Sequence, residues 1–110
     1  MKIKKILTIS LSLVLALSTL VLGTACGESD DGKYVIGISQ LIAHDALDAA
    51  TKGFKDAVIA GLGEENVEFI EQNADGSTDA CATIANTFVQ KKVDLIMANA
   101  TPALLAAYSA

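Results

Sequence analysis

From Tyr34 onward the apolar positions of this chain switch between two spacings. Tyr34–Ser39 (YVIGIS) is a short β-branched run without alternation, the pattern of a strand covered on both faces. Leu47, Ala50, Phe54, Ala57, Val58 and Gly61 then recur at helical spacing, with Asp48, Lys52, Lys55 and Asp56 on the other side. That predicts an amphipathic helix, ended by Gly61 and Gly63. Val67–Gln72 (VEFIEQ) alternates only in part and reads as an edge strand, and Asn73–Ser77 (NADGS) is turn chemistry. From Thr78 to Lys91 the apolar positions Cys81, Ile84, Ala85, Phe88 and Val89 share one helical face. Val93–Ala98 (VDLIMA) supplies a third strand, and a third helix begins at Pro102.

The order β-α-β-α-β-α with short connections predicts an α/β fold, a three-stranded parallel sheet with right-handed crossovers and helices on both faces. In such sheets ligands bind beyond the carboxyl ends of the strands. Three stretches are thereby selected: Gln40–Asp48, Asn73–Ser77 and Asn99–Pro102.

The amino-terminal quarter follows a different pattern. Ile6–Leu22 is an uncharged 17-residue run, preceded by three lysines and followed by small residues up to Cys26. This is the layout of a secretory signal peptide, expected over residues 1–25. Leu22-Gly23-Thr24-Ala25-Cys26 resembles the lipobox of bacterial lipoproteins, which implies that Cys26 carries a palmitate-type lipid anchor as the mature amino terminus. An ordinary signal or an uncleaved anchor helix are the alternatives, and the Ser- and Thr-containing run is short for a permanent span. Residues 26–32 would then be the lipidated cysteine and an acidic tether, with the folded part over 33–110. Beyond residue 25 five lysines face thirteen acidic residues, a net charge of −8. Such a surface repels phosphate backbones and argues against nucleic acid as a partner. With Cys26 lipidated, Cys81 has no intrachain disulfide partner.

Chemistry is concentrated at the three selected stretches. Thr101 as N-cap and Pro102 at the first helical position define a helix start, whose N–H groups carry about half a positive charge and can receive a carboxylate or phosphate. A plain capped helix is the alternative. Asp45 as N-cap with Asp48 three residues on imitates a capping box, and Asp48 is also placed to meet a ligand amine. His44, Asp45 and Asp48 lack the further ligands that a metal site needs, so no metal and no cofactor are expected. His44 beside Ser39 is the one conceivable base–nucleophile pair, and a loop histidine near a binding site is the better reading, so no catalytic residues are assigned. Cys81 sits on an apolar stripe and reads as core. No GxGxxG or phosphate-loop glycine pattern occurs.

The strings IGISQL, HDALDAATKGFKDA, AGLGEENVEF, QNADG, ATIANTFVQKKVDLI and ATPA, in that order, closely resemble the substrate-binding lipoproteins of ABC importers of the tryptophan/tyrosine type. The resemblance covers Tyr34 to Ala103. It implies a type I periplasmic-binding-protein-like fold, of which this chain is an amino-terminal fragment holding the first half of lobe 1. It further implies an extracytoplasmic protein, lipid-anchored at the outer face of the membrane, that binds an amino acid-like solute and hands it to a permease and its ATPase subunit. Ser39, Gln40, His44, Asp48, Asn99, Thr101 and Pro102 are the ligand-binding residues expected on this basis. A sensing receptor domain of the same fold is the alternative function. Family members commonly carry proline where this chain has Asp45, so a different start to the first helix is expected. A sheet of three strands exposes apolar edges, so the isolated piece is expected to be marginally stable or insoluble.

Overall fold

The computed structural model describes residues 32–110, and both the expected leader and Cys26 lie outside them. Three strands, β1 (Tyr34–Gln40), β2 (Val67–Asn73) and β3 (Leu95–Asn99), form one parallel sheet in the order β2-β1-β3. Three helices connect or follow them: α1 (Asp45–Leu62), α2 (Thr78–Gln90) and α3 (Thr101–Ser109), with a short 3-10 turn at Glu64–Asn66. The α/β class, the parallel sheet and the helices on both faces are as the sequence pattern predicts. β2 lies at an edge, and β1, the apolar run without alternation, is the central strand and is buried from Ile36 to Gln40.

Strand alternation sorts the sheet into two faces. Ile36 and Ile38 of β1, Val67 and Phe69 of β2 and Met97 of β3 pack under Phe54 and Val58 of α1. On the opposite face Ile70, Ile96 and Ala98 meet Cys81, Ile84 and Phe88 of α2 and Ala103 and Ala106 of α3. Gly37 belongs to this second face, where the Phe88 ring lies directly on the strand: a Cβ at Gly37 would stand 2.6 Å from Phe88 Cδ2. Cys81 is fully buried, in keeping with a core role.

Several expectations need correction. The inward stripe of α1 runs through Leu47, Thr51, Phe54 and Val58, while Ala50, Ala57 and Gly61 face solvent. Small residues contribute little apolar area, so they do not orient a helix, whereas Thr51 can turn inward because its hydroxyl is satisfied there. Val89, placed on the buried stripe of α2, is half exposed. β3 begins at Leu95 rather than Val93, because Asp94 is used to lock the strand start: its N–H donates to Val35 O (2.8 Å) and its carboxylate accepts from Val35 N–H (2.7 Å).

Candidate functional site

The three strands end level with one another. Gln40 pairs in register with Asn73 on one side and Asn99 on the other, so three carboxamides form a row across the carboxyl end of the sheet, on the α1 face. Two of them are closed into a buried network. Thr51 Oγ1 donates to Gln40 Oε1 (2.7 Å), and Asn99 Nδ2 donates to Thr51 Oγ1 (2.9 Å) and Leu47 O (2.8 Å). Gln40 Nε2 donates to Ile42 O (3.0 Å) and to Asp48 Oδ1 (2.6 Å). Gln40, Thr51 and Asn99 are each more than nine-tenths buried. The Gln40 carboxamide, the Thr51 hydroxyl and Asn99 Nδ2 spend their hydrogen bonds inside the protein, which fixes the first two turns of α1 and the β1–α1 loop against the ends of β1 and β3.

Asn73, the third carboxamide, is exposed and accepts from Asp75 N–H (2.8 Å), an Asx-type turn that brings Asp75 to φ 49° and Gly76 to φ 82°. Ala74 N–H then donates to Gln40 O (2.9 Å) and Gly76 N–H to Leu41 O (2.7 Å), while Leu41 N–H donates to Asn99 O (3.2 Å). The loops after β1, β2 and β3 are thus joined by backbone bonds into a single rim.

Two helix starts differ from the caps expected for them. α1 is capped by His44, whose Nδ1 accepts from Ala46 N–H (3.2 Å), and Asp45 is its first residue. His44 is extended at φ −158°, the backbone geometry of an N-cap, and the turn begins one residue earlier than a capping box on Asp45 would place it. α3 is capped not by Thr101 but by Ala100, at φ 93° and ψ 155°, with no side-chain cap bond. That conformation is essentially glycine territory. Thr101 is the first helical residue and Pro102, which has no N–H, the second; Leu104 N–H donates to Ala100 O (3.0 Å), and no side chain caps the α3 start. α2 starts at the same end of the sheet, where Ser77 Oγ accepts from Ala80 N–H (3.1 Å). Thr78, Thr101 and Pro102 line an open groove of about 520 Å³ between α2 and α3.

The residues expected at the site therefore separate. His44, Asp48 and Thr101 are exposed and Pro102 partly so, at the rim. Gln40 and Asn99 lie beneath it in the network. Ser39 faces the other side of the sheet from Gln40 and is 1% exposed, and its hydroxyl has no hydrogen-bond partner. His44 Nδ1 is committed to the α1 cap, so Ser39 and His44 do not form a nucleophile–base pair. Among the described residues no group of three or more His, Cys, Asp or Glu side chains could hold a metal ion. Thr51 was not legible as a site residue. The available signal was a hydroxyl four residues after Leu47 and three before Phe54 on one helical stripe.

The family described as ABC transporter substrate binding protein matches residues 35–110, from the second residue of β1 through the end of α3. The chain belongs to that family. It is 39% identical to the tyrosine-binding protein of Clostridioides difficile (strain R20291), over 99% of this chain and 35% of that relative. It also resembles the ligand-free, open structure of a substrate binding protein with adhesive properties from Clostridium difficile, with a TM-score of 0.66 and 38% identity. That likeness covers 69% of this chain and 26% of the other. The chain thus spans about a third of the length of the substrate-binding relative it matches.

Proposed function

We propose that residues 33–110 are the first part of the amino-terminal lobe of an extracytoplasmic solute-binding protein, which delivers an amino acid of aromatic type to an ABC permease and its ATPase subunit. The observation that carries this reading is the family match, which falls on every strand and helix that builds the rim. The tyrosine-binding relative supports the solute class.

Within this reading the rim supplies the polar contacts and the network beneath it supplies rigidity. Asp48 is exposed and holds Gln40 through Oδ1, leaving its charge to meet the solute's ammonium group. The start of α3, with Thr101 and Pro102 in its first turn and no capping side chain, receives the carboxylate. His44 sits beside Asp48 as the α1 cap, and Gln40 and Asn99 position these groups from beneath. The protein acts by binding, not catalysis. Residues 1–25 are the export leader, and Cys26 carries the palmitate-type anchor that holds the protein at the outer face of the membrane. The opposing wall of the cleft comes from a second lobe, which closes over the solute.

Titration calorimetry of the full-length protein, second lobe included, with L-tyrosine, L-tryptophan, L-phenylalanine and a panel of other amino acids tests the solute assignment. Saturable binding of an aromatic member is expected, weakened about tenfold by Asp48→Asn as one partly screened ion pair is lost. No binding of any amino acid would overturn it. Labelling of cells with radioactive palmitate, lost in Cys26→Ala, tests the anchor.

A further inference from the structure

One large apolar side chain stands where the fold does not need it. Among the described residues Tyr34 and Leu95 are exposed at strand amino ends, Leu62 and Val89 at helix carboxyl ends, and Leu104, Leu105 and Tyr108 along α3. Ile42 alone, 43% exposed, sits on the loops at the carboxyl end of the sheet. Its position is not left to loop chance. Ile42 O accepts from Gln40 Nε2 (3.0 Å), and the same nitrogen donates to Asp48 Oδ1 (2.6 Å). On the other side the Ile42 side chain lies against the turn at Gly76, whose N–H is bonded to Leu41 O: a Cβ there would stand 3.7 Å from Ile42 Cδ1, ordinary contact.

From this juxtaposition we infer that Ile42 is a specificity-determining residue, the apolar surface on which the side chain of the bound amino acid rests. The inference builds on the proposed function and adds the residue that chooses among solutes. An α-amino acid carries its ammonium group and its side chain on one carbon. A site selecting among such solutes needs a carboxylate near an apolar surface, and here one buried carboxamide bonds both the Asp48 carboxylate and the Ile42 backbone carbonyl. A flat aromatic ring laid on the isoleucine buries apolar area on both partners, and the water it releases favours the aromatic solute over a small or polar one.

The test uses the full-length protein, with the second lobe that the proposed function assigns to it, and L-tyrosine as the calorimetric probe. Ile42→Ala is expected to weaken L-tyrosine binding about tenfold, the order of effect for a few buried methylenes in an apolar site. Ile42→Leu should stay within about twofold of the unaltered protein, as should Leu62→Ala, an exposed apolar residue at the far end of α1. Far-UV circular dichroism should show all three folded, because Ile42 and Leu62 are both partly exposed. If the unaltered protein binds no aromatic amino acid, the proposed function fails. If it binds L-tyrosine and Ile42→Ala binds it equally well, or if Ile42→Leu is as weak as Ile42→Ala, the inference is overturned and Ile42 faces a protein surface instead.

Discussion

The substitution Thr51→Val isolates the network that sets the rim. Valine keeps the volume and the β-branched shape of threonine, so no cavity opens, and the change removes one oxygen. That oxygen makes two bonds in the buried network, donating to Gln40 Oε1 at 2.7 Å and accepting from Asn99 Nδ2 at 2.9 Å. Afterwards Gln40 Oε1 retains only the 3.5 Å approach of Asn99 Nδ2, a marginal contact, whereas Asn99 keeps its bond to Leu47 O. Two net hydrogen bonds at about 1 kcal/mol each, plus a partial penalty for the poorly satisfied carbonyl, give a loss of roughly 2–3 kcal/mol.

Urea unfolding followed by far-UV circular dichroism measures this directly. With a slope on the order of 1–2 kcal/mol per molar for a domain of this size, the midpoint should fall by roughly 1–3 M. The loss should be non-additive with Asn99→Leu, because the two side chains share a bond. A change below about 0.5 kcal/mol, the range of ordinary surface substitutions, would refute the claim that Gln40 and Asn99 are held by Thr51, and would return both to the solute-binding set.

Three further substitutions probe single features. Ala100→Gly should raise stability by about 1–2 kcal/mol, the relief of a residue at φ 93° less glycine's own entropy cost, and a lower urea midpoint would contradict the strain. Gly37→Ala should lower it by about 1–3 kcal/mol through overlap with Phe88, and Phe88→Leu in the same chain should cost less there than in the unaltered protein. His44→Ala should lose about 0.5–1 kcal/mol with the α1 cap, and His44→Ser should recover most of it; equal losses for both would show that capping is not the imidazole's role.

The elements were legible because each rests on many residues. YVIGIS reads as a strand covered on both faces because its apolar run lacks alternation, and the α2 stripe survives the exposure of Val89 because Cys81, Ile84 and Phe88 already fix its orientation. The ends were less legible, since each depends on one residue and on what that residue touches. Thr101-Pro102 carries good capping chemistry, yet the chain turns one residue earlier at Ala100, where no local preference favours it. Asp45 was a plausible cap, but a histidine nitrogen in the preceding position was already in place. The role of Gln40 was hidden for a related reason: whether a carboxamide at a strand end faces solvent or a helix depends on the partner that helix offers, and Thr51 lies eleven residues away.

This difference bears on how the rim should be understood. A helix start that served only the fold would be expected to use the available threonine as its cap and to avoid a strained alanine, since both choices are locally more stable. α2 does the first with Ser77, and α1 finds a side-chain acceptor in His44. Of the three described helices α3 alone has no side-chain cap, and it starts so at the carboxyl end of β3, beside a groove that also reaches the first turn of α2. The polar groups needed for folding at this end are closed on one another through Gln40, Thr51 and Asn99. Among the groups left exposed at this end, the Asp48 carboxylate and the uncapped α3 start are of opposite sign, the pairing that the proposed zwitterionic solute requires.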